Sequence, residues 1–195
     1  MKLRRLLPLT LVCALGSALV WLLWAHPIAD SLNRAETHPL HTPLEVDLSA
    51  GDRIGIWTNS VAADLGTLEC SVTGPGNRTQ KLTGPPALEW SVVLWWASAR
   101  PGFSQVAGFS AQDSAVYTVH CTERTGWYDG ELLLASDSFG EGSIGLGRMG
   151  SADFAQGTIL AYCAVVLPLL TVALGIMTLV AAVRGRTRAA PQRAP

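Results

Sequence analysis

No aspartate or glutamate lies before Asp30 or after Asp153 in this 195-residue chain. The two ends hold only basic charge, with Lys2, Arg4 and Arg5 at one and Arg184, Arg186, Arg188 and Arg193 at the other. All fifteen carboxylates fall between them against seven Lys and Arg, so the middle carries −8 and the ends together +7. An acidic middle argues against binding a phosphate backbone, and no nucleic-acid partner is expected.

Several catalytic signatures are also missing. There is no Gly-x-Ser-x-Gly elbow, no His-Glu-x-x-His and no Cys-x-x-Cys, which removes the sequence signals for a serine hydrolase, a zincin and a zinc ribbon. Of four histidines, His26, His38 and His41 sit in one Pro-containing stretch and read as part of a solvated linker; His120 lies beside Cys121. Asp47, Asp52 and Asp64 fall at turns but without the Asp-x-Asp loop that calcium favours. Gly145-Leu146-Gly147-Arg148-Met149-Gly150 matches the dinucleotide fingerprint in letters. It lacks the preceding strand and the later acid that give those glycines their role, so it reads as linker. No catalytic, cofactor-binding or metal-ligating residue is assigned, and the chain is read as non-enzymatic.

What is present is hydrophobic length. Gly157 to Val183 is a run of 27 residues without a charged side chain, about 40 Å as a helix against a hydrocarbon core of roughly 30 Å. Leu6 to Trp24 is a second uncharged run, ending in Trp21 and Trp24, which suit an interfacial belt. Two readings of this first run stand: a signal anchor, or a signal peptide cleaved near Ala29-Asp30-Ser31. Its length favours the anchor. The basic flanks at Lys2, Arg4, Arg5, Arg184, Arg186 and Arg188 then place both termini in the cytoplasm and the acidic middle outside, in contact with membrane lipid at its two spans. Residues 184–195 form a short basic tail suited to anionic headgroups.

Between the spans the pattern divides into a linker at 26–43, a β domain at 44–138 and a Gly-rich linker at 139–156. Pro27, Pro39 and Pro43 make the first linker an extended stalk. Leu44 to Leu48 and Arg53 to Trp57 alternate apolar and polar residues around Gly51-Asp52, a hairpin-like start. Further strands are expected at Thr67 to Val72, Leu88 to Ala97, Gln105 to Phe109, Ala115 to Thr122 and Gly130 to Ala135, with Gly74-Pro75-Gly76-Asn77 a turn. Leu88 to Ala97 has the bulk of a central strand, while Val116, Thr118 and His120 should face away from Tyr117, Val119 and Cys121. The fold class is therefore an antiparallel β-sandwich of about six to eight strands flanked by two transmembrane helices. Cys13 and Cys163 lie within the apolar runs, whereas Cys70 and Cys121 lie in the exported domain. The compartment permits a disulfide between the latter pair, worth roughly 4 kcal/mol on the chain-entropy model; two buried thiols are the alternative.

The stretch from Val46-Asp47-Leu48-Ser49-Ala50-Gly51-Asp52 through Thr73-Gly74-Pro75-Gly76 to Phe109-Ser110-Ala111 and Ala115-Val116-Tyr117-Thr118-Val119 resembles bacterial pre-peptidase C-terminal β-sandwich domains. Ala115 stands where that family has glycine, and no peptidase flanks the domain. The resemblance implies a non-catalytic accessory or binding module. Asp113 to Tyr117 with Cys121 is also similar to the tyrosine-corner strand of immunoglobulin domains, with Cys70 as the implied partner cysteine, although Tyr117 precedes Cys121 by four residues instead of two.

Trp90, Trp95 and Trp96 are the interaction candidates, because adjacent Trp95 and Trp96 on a strand must face opposite ways. Asn77-Arg78-Thr79 is a glycosylation sequon that matters only in a eukaryotic secretory route. The function expected is that of a cell-envelope protein presenting a sandwich to a protein partner. A glycan-binding module using an exposed Trp is the alternative, and an envelope hydrolase a remote one. Partner identity and oligomeric state are not encoded in any pattern found here.

Overall fold

The computed structural model describes residues 3–84, 94, 100–138 and 156–189. Helix α1 (Leu3–Val20) passes through a wide π-type turn, Trp21–Ala25, into α2 (His26–Arg34). Pro27 explains the turn: it has no N–H for the carbonyl four residues back, and its ring would strike that carbonyl. The His26 N–H instead reaches back five residues to the Trp21 carbonyl, so the helix continues by widening. The extended stalk expected over 26–43 is therefore helical as far as Arg34. Arg100 Nη2 caps its end, donating to the Ala35 carbonyl at 2.8 Å.

Among the described residues eight strands follow: β1 (His38–Pro39), β2 (Leu44–Leu48), β3 (Arg53–Thr58), β4 (Leu68–Gly74), β5 (Arg78–Thr79), β6 (Ser104–Ser110), β7 (Ala115–Glu123) and β8 (Glu131–Ser136). A short helix, α3 (Val61–Asp64), separates β3 from β4, and a long helix, α4 (Gln156–Ala189), follows β8. The strands form two antiparallel sheets, in the orders β1-β8-β3-β6 and β2-β7-β4-β5. This is the sandwich expected from the alternating strands and frequent turns.

The hairpin-like start is corrected: β2 and β3 lie in different sheets. Leu44 and Leu48 of β2 and Ile56 of β3 meet between the sheets, so the chain turns a corner between sheets instead of pairing with itself. The corner is held by the β6–β7 connection, with Gly51 N donating to the Ala111 carbonyl at 2.8 Å and Ala111 N to the Asp52 carbonyl at 2.9 Å. Asp52 Oδ2 accepts the Ser49 N–H at 2.8 Å within the turn.

Two cores share one sheet. Between the sheets lie Leu44, Leu48, Ile56, Val72, Phe109, Tyr117, Val119 and Leu132. On the other face of the β3 sheet, Trp57, Leu133 and Ala135 pack against Ile28 and Leu32 of α2, Trp24, and Ala161 and Ala164 of α4. That sheet is therefore buried on both sides. Strand β8, with its unbroken Leu132-Leu133-Leu134, and β3, with Ile56 inward and Trp57 outward, are its two-faced strands. The central strand expected at Leu88 to Ala97 lies outside the described residues except for Leu94, which is buried in the helix-facing core.

The helices α1 and α4 pack along each other and are tied by Trp21 Nε1 donating to the Ala164 carbonyl at 3.0 Å. The helical runs Leu6–Arg34 and Gly157–Arg184 are each long and apolar enough to cross a membrane, and only 11% and 6% of their most apolar windows are buried within the chain. A core helix of a soluble domain would be mostly covered. Leu7, Leu15, Leu22, Leu23, Leu169 and Leu179 are among many large apolar side chains left exposed along these shafts.

Candidate functional site

The direction of β8 sets which end of the sandwich faces away from the apolar shafts. Ser136 N donates to Ser31 Oγ within α2 at 3.1 Å, whereas Leu132 pairs with His38, beyond the end of α2. The start of β8, and the β7–β8 turn before it, are thus at the far end.

That turn is built around one carboxylate. Glu123 closes β7 with its side chain folded back: Oε1 accepts the Thr125 N–H at 2.9 Å and the Thr125 hydroxyl at 2.7 Å, and Oε2 accepts the Trp127 N–H at 3.0 Å. Burial alone would raise the carboxyl, but these bonds, with a further one from the Thr67 side chain, outweigh it and hold Glu123 at a pKa of about 2. The carboxylate fixes the backbone on either side of Gly126 and leaves the Trp127 indole outside, 85% exposed.

The neighbouring β3–β4 connection runs alongside. Arg124 N donates to the Thr67 carbonyl at 3.0 Å, Ser60 Oγ to the Asp129 carbonyl at 3.2 Å, and Glu131 N to Asn59 Oδ1 at 2.7 Å. Gly130 is required where the two loops touch, since a Cβ there would stand 2.5 Å from Ser60 Cβ. Ser60 also caps α3 by accepting the Ala62 N–H. The helix lifts Val61 and Leu65 outward, 53% and 54% exposed, on the end that carries Trp127 and the half-exposed Tyr128. Arg124 pairs with Glu69 across the β4–β7 edge, and that partner raises its pKa further. Val61, Leu65, Trp127 and Tyr128 are thus exposed at this end, together with the acids Asp64 and Asp129.

The expected disulfide is present: Cys70 and Cys121 are bonded and are direct cross-strand partners of β4 and β7. They therefore staple one sheet to itself, unlike the bridge between sheets in immunoglobulin domains. The tyrosine corner is nonetheless formed. The buried Tyr117 hydroxyl donates to the Asp113 carbonyl at 3.0 Å and accepts the Asp113 N–H at 3.1 Å. Tyr117, Val119 and Cys121 all face the core as the alternation required.

Trp90, Trp95 and Trp96 lie outside the described residues, as do Lys2 and the Gly145 to Gly150 motif. Arg4 and Arg5 fall in the first turns of α1 and Arg186 and Arg188 in the last turns of α4, while Arg184 is exposed. Asp52 caps its own turn and Asp64 sits on α3 at the opposite end of β3, so the three turn acids weighed for calcium are not brought together. Among the described residues no three His, Cys, Asp or Glu gather as metal ligands. Trp127 is not among the interaction candidates that the sequence singles out. Its signal is a tryptophan beside a glycine in a polar turn after a cleanly alternating strand, where a core residue has no reason to be. No family model matches the sequence, and no curated protein matches it significantly.

Proposed function

We propose that the chain is a two-span envelope protein with both termini in the cytoplasm, holding its sandwich outside the membrane for contact with another protein. The charge segregation supports the sidedness. The uncovered apolar shafts support the spans, and the Cys70–Cys121 bond suits an oxidising compartment. The pre-peptidase C-terminal resemblance, which implies an accessory module, agrees with a role in assembly.

The observation that carries the reading is Trp127, exposed at the end farthest from the apolar helices on a turn held by Glu123. A large aromatic on pre-ordered backbone adds contact area at small entropic cost, which is how anchor residues of interfaces work. Replacing Trp127 with a photoreactive amino acid in cells tests it. A discrete protein adduct is expected; a surface that yields none, while positions facing lipid do crosslink, contradicts it. Carbohydrate stacking on the same indole is the competing reading, and adducts confined to cell-wall material would favour it.

A further inference from the structure

Strand β2 is an edge strand. It pairs with β7 along Leu44–Leu48 and, among the described residues, has no strand on its other side. On the adjoining edge of the second sheet, β1 is the partner of β8 among the described residues and pairs with Glu131 and Leu132 alone. An open groove of about 490 Å3 runs between these edges, with Glu36, His38, Leu44, Glu45, Val46 and Leu134 along it. Unpaired edges are normally blunted, since a row of free N–H and C=O groups accepts any extended chain.

The charges on this edge select what can add to it. Glu45 and Asp47 are exposed on one face of β2, and their cross-strand neighbours on β7 are Thr118 and Val116, neither of which carries a charge. Glu36 adds a third carboxylate at the groove, and no Lys or Arg occurs among its described lining residues. A second copy of β2 fits poorly. Antiparallel pairing centred on Val46 sets Glu45 against Asp47 of the other copy twice over, and shifting by one pair sets Glu45 against Glu45 or Asp47 against Asp47. Like charges directly opposite are destabilising. An extended chain with Lys or Arg at alternate positions meets both carboxylates on one face, with exposed Val116 beside Asp47, and its intervening residues meet half-buried Val46 on the other face.

We propose that β2 is a docking edge for an extended cationic segment of a partner protein, which adds to the β7 sheet as a further strand with its basic side chains against Glu45 and Asp47. This rests on the reading of the chain as an interaction module but uses a surface separate from Trp127. The affinity comes from backbone pairing and the selectivity from the alternate charges.

The test uses the full chain in nanodiscs of neutral phosphatidylcholine and a blocked octapeptide of alternating valine and lysine. Two control peptides replace lysine with glutamate or place proline at the centre. The valine-lysine peptide is expected to slow amide exchange across residues 44–48. The paired substitution Glu45→Lys and Asp47→Lys, on exposed positions that leave the core intact, should weaken it at least tenfold and admit the glutamate peptide instead. Unchanged exchange at 44–48, equal binding of the proline peptide, an unaltered preference after the charge swap, or self-association through β2 each overturn the proposal. The photocrosslink at Trp127 is read in parallel. Its loss with peptide docking intact sinks the Trp127 contact alone, and its retention without docking sinks the edge alone.

Discussion

The Glu123 carboxylate accepts the Trp127 backbone N–H at 3.0 Å, and with this bond a core-facing strand end fixes the most exposed large apolar side chain among the described residues of the sandwich. Four residues apart in sequence, the two lie on opposite sides of the protein surface in character, one buried and ionised, the other apolar and in solvent. The bond makes an acidic group the switch for the order of an apolar contact.

Because Glu123 is lowered from about 4.5 to about 2, its stabilising effect is complete above pH 4.5 and drains away as pH falls toward 2. Unfolding measured against pH should steepen across that window. Glu123→Gln should flatten this part of the profile and speed amide exchange at Thr125 and Trp127 at neutral pH. An unchanged profile would remove Glu123 from the account.

Tyr117→Phe keeps the ring, which packs near Phe109 at a centroid distance of 6.0 Å, and deletes only the hydroxyl bonded to Asp113. A loss of about 1–3 kcal/mol is expected in denaturant unfolding. Gly74→Ala should be at least as harmful, since a Cβ there would stand 2.7 Å from Tyr117 Cε1.

Replacing Cys70 and Cys121 together by serine should cost about 2–5 kcal/mol without changing strand order. Because the bond joins neighbouring strands of one sheet, exchange should quicken first in β4 and β7. Equal stability with and without reductant would contradict this.

Asp137 is buried, accepting from Arg53 Nη2 at 3.0 Å and Gln105 Nε2 at 2.6 Å, while Gln105 Oε1 accepts the Ser138 N–H at 2.9 Å and the Ser138 hydroxyl at 2.7 Å. Asp137→Ala removes one acceptor from two donors, and a loss of about 3 kcal/mol is expected in thermal or denaturant unfolding. Gly108 makes room for this carboxylate, since a Cβ there would stand 2.9 Å from Asp137 Oδ1.

Much of this fold is written in local pattern. Period-two alternation locates β2, β3 and β7, and Tyr117, Val119 and Cys121 face inward because nothing competes with that alternation. Strand β8 was located despite lacking alternation, but its place between two cores is a tertiary property that Leu132-Leu133-Leu134 alone does not specify. The corner between β2 and β3 was missed for a similar reason: a Gly-Asp turn looks alike whether the chain folds onto its own strand or crosses to another sheet. Pro27 suggested a stalk, and a single π-type turn kept the helix intact. The candidate site was the least legible part. Trp127 is singled out by hydrogen bonds from Glu123 that depend on how the turn closes, and a list of tryptophans ranks it below the clustered Trp95 and Trp96.

Sidedness is the claim on which the proposed function depends, and single cysteines read it directly. Intact cells carrying either Asp64→Cys, on α3 at the far end of the sandwich, or Arg193→Cys, in the basic tail, are treated with a membrane-impermeant maleimide. Labelling at 64 from outside, with labelling at 193 only after the membrane is opened, is the expected result. Labelling at 193 in intact cells, or protection at 64 until lysis, would contradict the account.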